Sequence, residues 1–267
     1  MPAINPTRLK QETAELVPYF SEPARFVYEL DKLLDRYADR VRRPGQTGAP
    51  APLLPAYKVA PPVMRQIVLV VTPLADADPA SALALADLLW EKNILESRQI
   101  AVRLLGLLPA DDPAPFLTRA QTWPSSRTDE AILEEFFKTG LVNLQKQHPR
   151  LIIEIVRDWL GAPQIELQTL GAKALLPLVE NPAFDNLPLV FRMLLPRMID
   201  AHPVLRGHLA VIIHALARRS PRETAHFLNQ VLIVSDNPGI AWITRQVLDL
   251  LPKETQERLK ETIRNRS

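Results

Sequence analysis

Apolar residues return along this chain at the spacing of a helix rather than a strand. Ile152, Ile153, Val156, Trp159 and Leu160 fall at i, i+1, i+4, i+7 and i+8, which places them in one stripe. Leu167, Leu170, Gly171, Ala174, Leu175 and Leu178 form a second stripe, with Glu166, Thr169 and Lys173 on another face. Leu95–Leu108 repeats the device through Ala101, Leu104, Leu105 and Leu108. Strand alternation is almost absent. The β-branched run Ile67–Val71 lies inside the apolar stretch Pro62–Leu74 with no partner run in view, and it reads as a buried helix.

Punctuation recurs as well. Asp78-Pro79, Asp112-Pro113, His148-Pro149, Asn181-Pro182 and Ser220-Pro221 each precede or interrupt an apolar-periodic stretch. A short polar residue followed by proline suits a helix start, because the side chain caps free N–H groups and proline fits the first turn. The interval between marks holds two helices and two turns, which predicts an all-α stack of HEAT-like helix pairs. The reading is a single repeat domain over residues 1–267. It opens with an N-terminal helix pair within 1–43, roughly Thr7–Phe20 and Ser21–Arg43. A Pro/Gly/Ala linker over 44–56 follows, and then the array over 57–267. Thr128 is placed to cap the longest central helix, with Asp129 and Glu130 complementing its N-terminal dipole.

Composition agrees with this picture. The chain has 26 prolines against 8 glycines, a balance that suits successive short helices and would disrupt a central sheet. The absence of cysteine excludes disulfides, thiol catalysis and thiolate zinc sites. No apolar run reaches the ~18–20 residues of a membrane helix, and the polar start is no signal peptide, so a soluble, cytoplasmic protein with no membrane partner is expected. Net charge is only +2. Residues 201–267 nevertheless carry ten Lys/Arg against six Asp/Glu, a modest excess that can meet phosphate or simply face water.

Four segments together resemble the AlkD-like DNA alkylation repair family. Leu88–Gly106 (LLWEKNILESRQIAVRLLG) is similar to its helix-turn-helix, where Leu-Trp ends one helix and Glu-x-Arg-x-x-Ala opens the next. Tyr57–Pro62 (YKVAPP) stands at its Pro-containing lead-in. His148–Leu176 is similar to its His-Pro helix and the helix that follows, and Leu205–Phe227 to its last strong repeat. The match spans roughly residues 57–251. The resemblance implies a curved, right-handed α-solenoid whose concave basic face holds duplex DNA. It also implies excision of cationic alkylated purines by aromatic faces and a carboxylate beside the sugar, a chemistry that suits an oxocarbenium-like centre.

Carried over by position, the aromatic-then-acid element falls on Trp123 with Asp129, or on Glu134 when counted back from His148. Where the family has an Arg after the His-Pro helix, this chain has Thr169. Val211 replaces a Trp on the last strong repeat, and His214 an Arg one turn beyond. The resemblance therefore implies a DNA-facing groove with a degenerate catalytic set.

The residues themselves offer further candidates. Gly207, Val211, His214 and Arg218 share one helix face, away from the stripe Leu205, Leu209, Ile212, Leu216, and Lys173 and Thr169 can join them from an earlier repeat. Arg218 and Lys173 can contact phosphates, or Arg218 can cap a helix end beside Arg219 and Arg222. Trp123 lies in a loop, where it can stack on a sugar or base or plug the gap between repeats. Trp90, Trp159 and Trp242 sit in apolar stripes and read as core. The five histidines fit no metal spacing, no nucleotide fingerprint is present, and no cofactor is implied. Three functions follow: a DNA-binding member with weak or absent glycosylase activity, an active alkylpurine glycosylase, or a scaffold for a protein partner.

Overall fold

The computed structural model describes residues 4–40, 54–125 and 128–264. Most of the 44–56 linker, Ser126 and Arg127 lie outside them. The described residues are all helix, turn and coil, with no strand among them. They divide into two compact units, Met1–Pro149 and Arg150–Ser267.

The first unit contains α1 (Pro6–Ala14), α2 (Pro23–Arg36), α3 (Pro61–Ala77), α4 (Pro79–Glu91), α5 (Leu95–Leu107), α6 (Ala114–Thr122), α7 (Glu130–Glu135) and α8 (Val142–Gln147). Helix α2 shows why these segments fold as they do. Its buried side chains are Phe26, Val27, Leu30, Leu33 and Leu34, the same i, i+1, i+4, i+7, i+8 stripe, and each contributes about 1.5–3 kcal/mol on leaving water. Alternate helices pack side by side. α1 lies on α3, α3 on α5, and α5 on α7 and α8, while α2 lies on α4. The Ile67–Val71 run is inside α3 as expected, with Ile67 and Val71 buried.

Helix starts follow the polar-Pro marks in four of the five places. Asp78 accepts from the Ser81 N–H at 3.0 Å ahead of α4, and Asp112 from the Ala114 N–H at 3.0 Å ahead of α6. Pro149 and Pro221 each open a helix. Asn181-Pro182 is the exception, for Asn181 ends a helix and the next begins six residues later, capped by Asn186. The N-terminal pair is shorter than expected. α1 gives way to a 3-10 turn, Val17–Tyr19, before Pro23 starts α2.

The expected long central helix is interrupted. Asp129, not Thr128, caps α7 by accepting from the Ala131 N–H at 3.0 Å, and Thr128 instead accepts from the Ser125 N–H at 3.1 Å. After Glu135 the chain makes a π-turn, Phe136–Gly140, before α8. The turn packs closely on α5. A Cβ added at Gly106 would stand 2.3 Å from the Thr139 carbonyl oxygen, so the π-turn backbone rests directly on that glycine. Asn143 Nδ2 then donates to the Gly106 and Leu108 carbonyls at 3.0 and 2.8 Å, holding α8 to the end of α5.

The second unit contains α9 (Pro149–Gly161), α10 (Ile165–Glu180), α11 (Leu187–Asp200), α12 (Arg206–Arg219), α13 (Pro221–Val234), α14 (Pro238–Arg245) and α15 (Lys253–Arg264), with a 3-10 turn at Leu248–Leu250. It has two rows. α10, α12 and α14 lie side by side in one, α11, α13 and α15 in the other, and α12 also packs on α13. Leu205, Leu209, Ile212 and Leu216 are fully buried, which fixes the orientation of α12.

One kind of contact recurs through both units. A side chain reaches back to backbone carbonyls several tens of residues earlier. His148 Nε2 meets the Ala110 carbonyl at 2.8 Å, and Arg219 donates to the carbonyls of Val179, Asn181 and Phe184 at 2.6, 3.0 and 2.8 Å. Ser235 donates to Ile199, and Asn237 to Asp200. With the Asn143 bonds, these contacts span 35 to 40 residues. Each satisfies carbonyls at or just past a helix end, which have no intrahelical donor.

Candidate nucleic-acid interface

Helix α12 is flanked by α10 and α14 and backed by α13, so its remaining side is the one that water reaches. Gly207, Val211, His214 and Arg218 are all exposed on it, Val211 at 51%. Arg218 and His214 make no hydrogen bond or ion pair among the described residues. Arg219, one position on, is committed to the α10–α11 turn through its three carbonyl bonds, so capping falls to Arg219 and leaves Arg218 available. On α10, Lys173 and Thr169 are half-buried, and the Thr169 hydroxyl donates to the Ile165 carbonyl at 2.8 Å.

Neither α12 nor α14 contains a single Asp or Glu. Their charged groups are Arg206, Arg218, Arg219 and Arg245. The sequence reading missed α14. Trp242, assigned to the core by its apolar neighbours, is 43% exposed, and Arg245 is exposed one turn beyond it. The buried face of α14 is instead Gly239, Ile240, Ile243 and Thr244, a stripe that excludes position 242. A helical wheel restricted to 238–245 would have revealed this.

The residues proposed for chemistry have a different setting. Trp123 is 6% exposed and stacked on Trp90, ring centroids 4.5 Å apart and planes 7° from parallel, with Phe136 at 5.9 Å. Of the two readings for this loop tryptophan, the coordinates favour the plug. The stack contributes about 0.5–1.5 kcal/mol beyond its burial. Asp129 is also buried, and one carboxylate oxygen is spent on the cap of α7. Glu134 is exposed and paired with Lys138 at 2.9 Å, one helical turn away. Trp123 and Asp129 are thus held within the fold of the first unit, while Glu134 faces water.

The motif residues that carry the resemblance are packing residues. Glu96 is 4% exposed, and its carboxylate accepts from the Tyr57 and Lys58 N–H groups at 3.0 and 2.6 Å, which pins the YKVAPP lead-in to the start of α5. The pin accommodates a positive φ of 59° at Lys58. Arg98 lies 4.5 Å from the centre of the Trp90 ring and donates to the Trp90 carbonyl, and burial lowers its pKa from the ordinary value. Arg119 forks onto Asp87, joining α6 to α4.

No curated protein and no solved structure is similar enough to the chain to count as a match. The family model described as DNA alkylation repair enzyme matches residues 32–251, which takes in both units and every motif above. Over most of its length, then, the chain belongs to the DNA alkylation repair enzyme family.

Proposed function

We propose that this protein is a DNA-binding member of its family, built within each unit from HEAT-like pairs, with weak or absent glycosylase activity. The observation that supports the reading is the carboxylate-free pair α12 and α14, on which Arg218, His214, Arg245 and Trp242 are each exposed, packed in one row with α10, which carries Lys173 and Thr169. Guanidinium groups without carboxylate partners bind phosphate oxygens without first breaking an ion pair. An indole beside them can stack on a base or sugar.

Weak catalysis is supported by the setting of Trp123, Asp129 and Glu134. A buried indole, a capping carboxylate and a surface ion pair do not converge on a reacting sugar. Val211 and His214, at the positions where the resemblance implies Trp and Arg, point the same way.

The test is titration of a fluorescent duplex, followed by anisotropy at several salt concentrations. Binding should weaken with salt by a log–log slope of about −0.9 per phosphate contact. The double variant Arg218→Gln/Arg245→Gln should flatten that slope by about two contacts. Affinity indifferent to salt, or to both substitutions, refutes the reading. In the same preparation, a duplex carrying 7-methylguanine should release free base slowly or not at all compared with a heat-killed control. Complete, enzyme-dependent release within minutes would establish the active enzyme instead.

A further inference from the structure

The second unit holds a cleft of about 290 Å3 between α9 and α11, near the lower end of the ~300–1,000 Å3 common for small-molecule sites. Its lining is mostly apolar, with Leu160, Leu189, Met193 and Pro196 among it, and the side chains of Arg157, Arg192 and Arg197 border it. No carboxylate lines it. Arg157 has only a loose pair with its exposed neighbour Asp158, at 3.5 Å. The side chains of Arg192 and Arg197 make no hydrogen bond or ion pair among the described residues.

An apolar lining draws the hydrocarbon part of a ligand, and unpaired arginines draw a group with several acceptor oxygens. Two free guanidiniums beside a third match a dianion better than a carboxylate's single charge, and each can meet phosphate oxygens in bidentate fashion. We propose that this cleft binds a small phosphate monoester, its phosphate held by Arg192 and Arg197 and its apolar body resting on Leu160, Leu189 and Met193. The site stands apart from the DNA-binding reading, since it uses α9 and α11 rather than α10, α12 and α14.

Gly161, at the end of α9, supplies a second handle. It lines the cleft, and a Cβ added there meets no atom within 4 Å, so a larger side chain can be placed at the cleft's edge without a clash. The experiment is isothermal titration of the full chain with phenyl phosphate, inorganic phosphate, benzoate and phenol. Phenyl phosphate should bind saturably, by about tenfold or more tighter than any of the other three. Arg192→Gln/Arg197→Gln and, separately, Gly161→Leu should each weaken it by about tenfold or more while leaving the far-ultraviolet circular dichroism unchanged. Duplex affinity should be the same in all three proteins. No saturable binding, equal binding of benzoate or inorganic phosphate, or insensitivity to either variant overturns the proposal. So does a loss of duplex affinity in the arginine variant without phenyl phosphate binding, which would assign these arginines to nucleic acid.

Discussion

At Gly106 the space for a side chain is already occupied by the Thr139 carbonyl. Gly106→Ala must push the π-turn off α5, and it should cost about 1–3 kcal/mol in a urea melt followed by circular dichroism. The two tryptophans of unlike setting allow a sharper comparison. Trp123→Ala should lower stability by about 3–5 kcal/mol, because it empties a stacked, buried site. Trp242→Ala should stay within about 1 kcal/mol of the parent and weaken duplex binding instead. If the exposed residue proves the more destabilising, the assignment of these roles is wrong. At this scale the sequence was only half legible. Stripes of four or more apolar positions, such as Leu205 to Leu216, identified their own buried side. A single indole on a short helix or a loop did not, because its burial depends on neighbours distant in the chain: Trp90 and Phe136 cover Trp123, whereas Trp242 stays 43% exposed.

Between elements, carboxylates act as joints, and Glu12 is the plainest case. It lies on α1 and accepts from the Tyr37 hydroxyl at 2.6 Å just past α2, with Arg8 at 2.9 Å and Arg36 at 2.8 Å. Burial opposes its charge, but the Tyr37 hydroxyl and the two guanidiniums outweigh that and hold its carboxyl at about 2. The folded pKa is below the ordinary 4.5, so the joint is at full strength above that value and is lost as pH falls from 4.5 toward 2. Acid titration of the Tyr37 signal by NMR should show α1 loosening from α2 in that window, and Glu12→Gln should remove the pH dependence. Periodicity and the polar-Pro marks made most helices readable, because proline and a capping side chain act locally. The break at Phe136–Gly140 was not readable, since its backbone packs against Gly106 some thirty residues earlier, a contact distant in the chain. The N-terminal pair came out shorter than its apolar pattern, because Pro18 and Pro23 each restart the backbone.

For the whole molecule, a net charge of +2 conceals an uneven distribution, and the excess in residues 201–267 is concentrated where two adjoining helices have no acid at all. The regional charge count gave the sign, but only the packing of α10, α12 and α14 shows which helices adjoin. The recurring backward bonds have a consequence for mechanical integrity. Arg219 satisfies three carbonyls with charge-assisted bonds of about 1.5–3 kcal/mol each in favourable settings. Arg219→Ala should therefore speed amide exchange around residues 181–187 well before α15 loses protection, as read by mass spectrometry. Each such bond clasps a helix end or turn 35 to 40 residues upstream. A nascent chain leaving the ribosome can thus latch α8, α12 and the α13–α14 turn onto segments that are already complete, with no need to wait for its own far end.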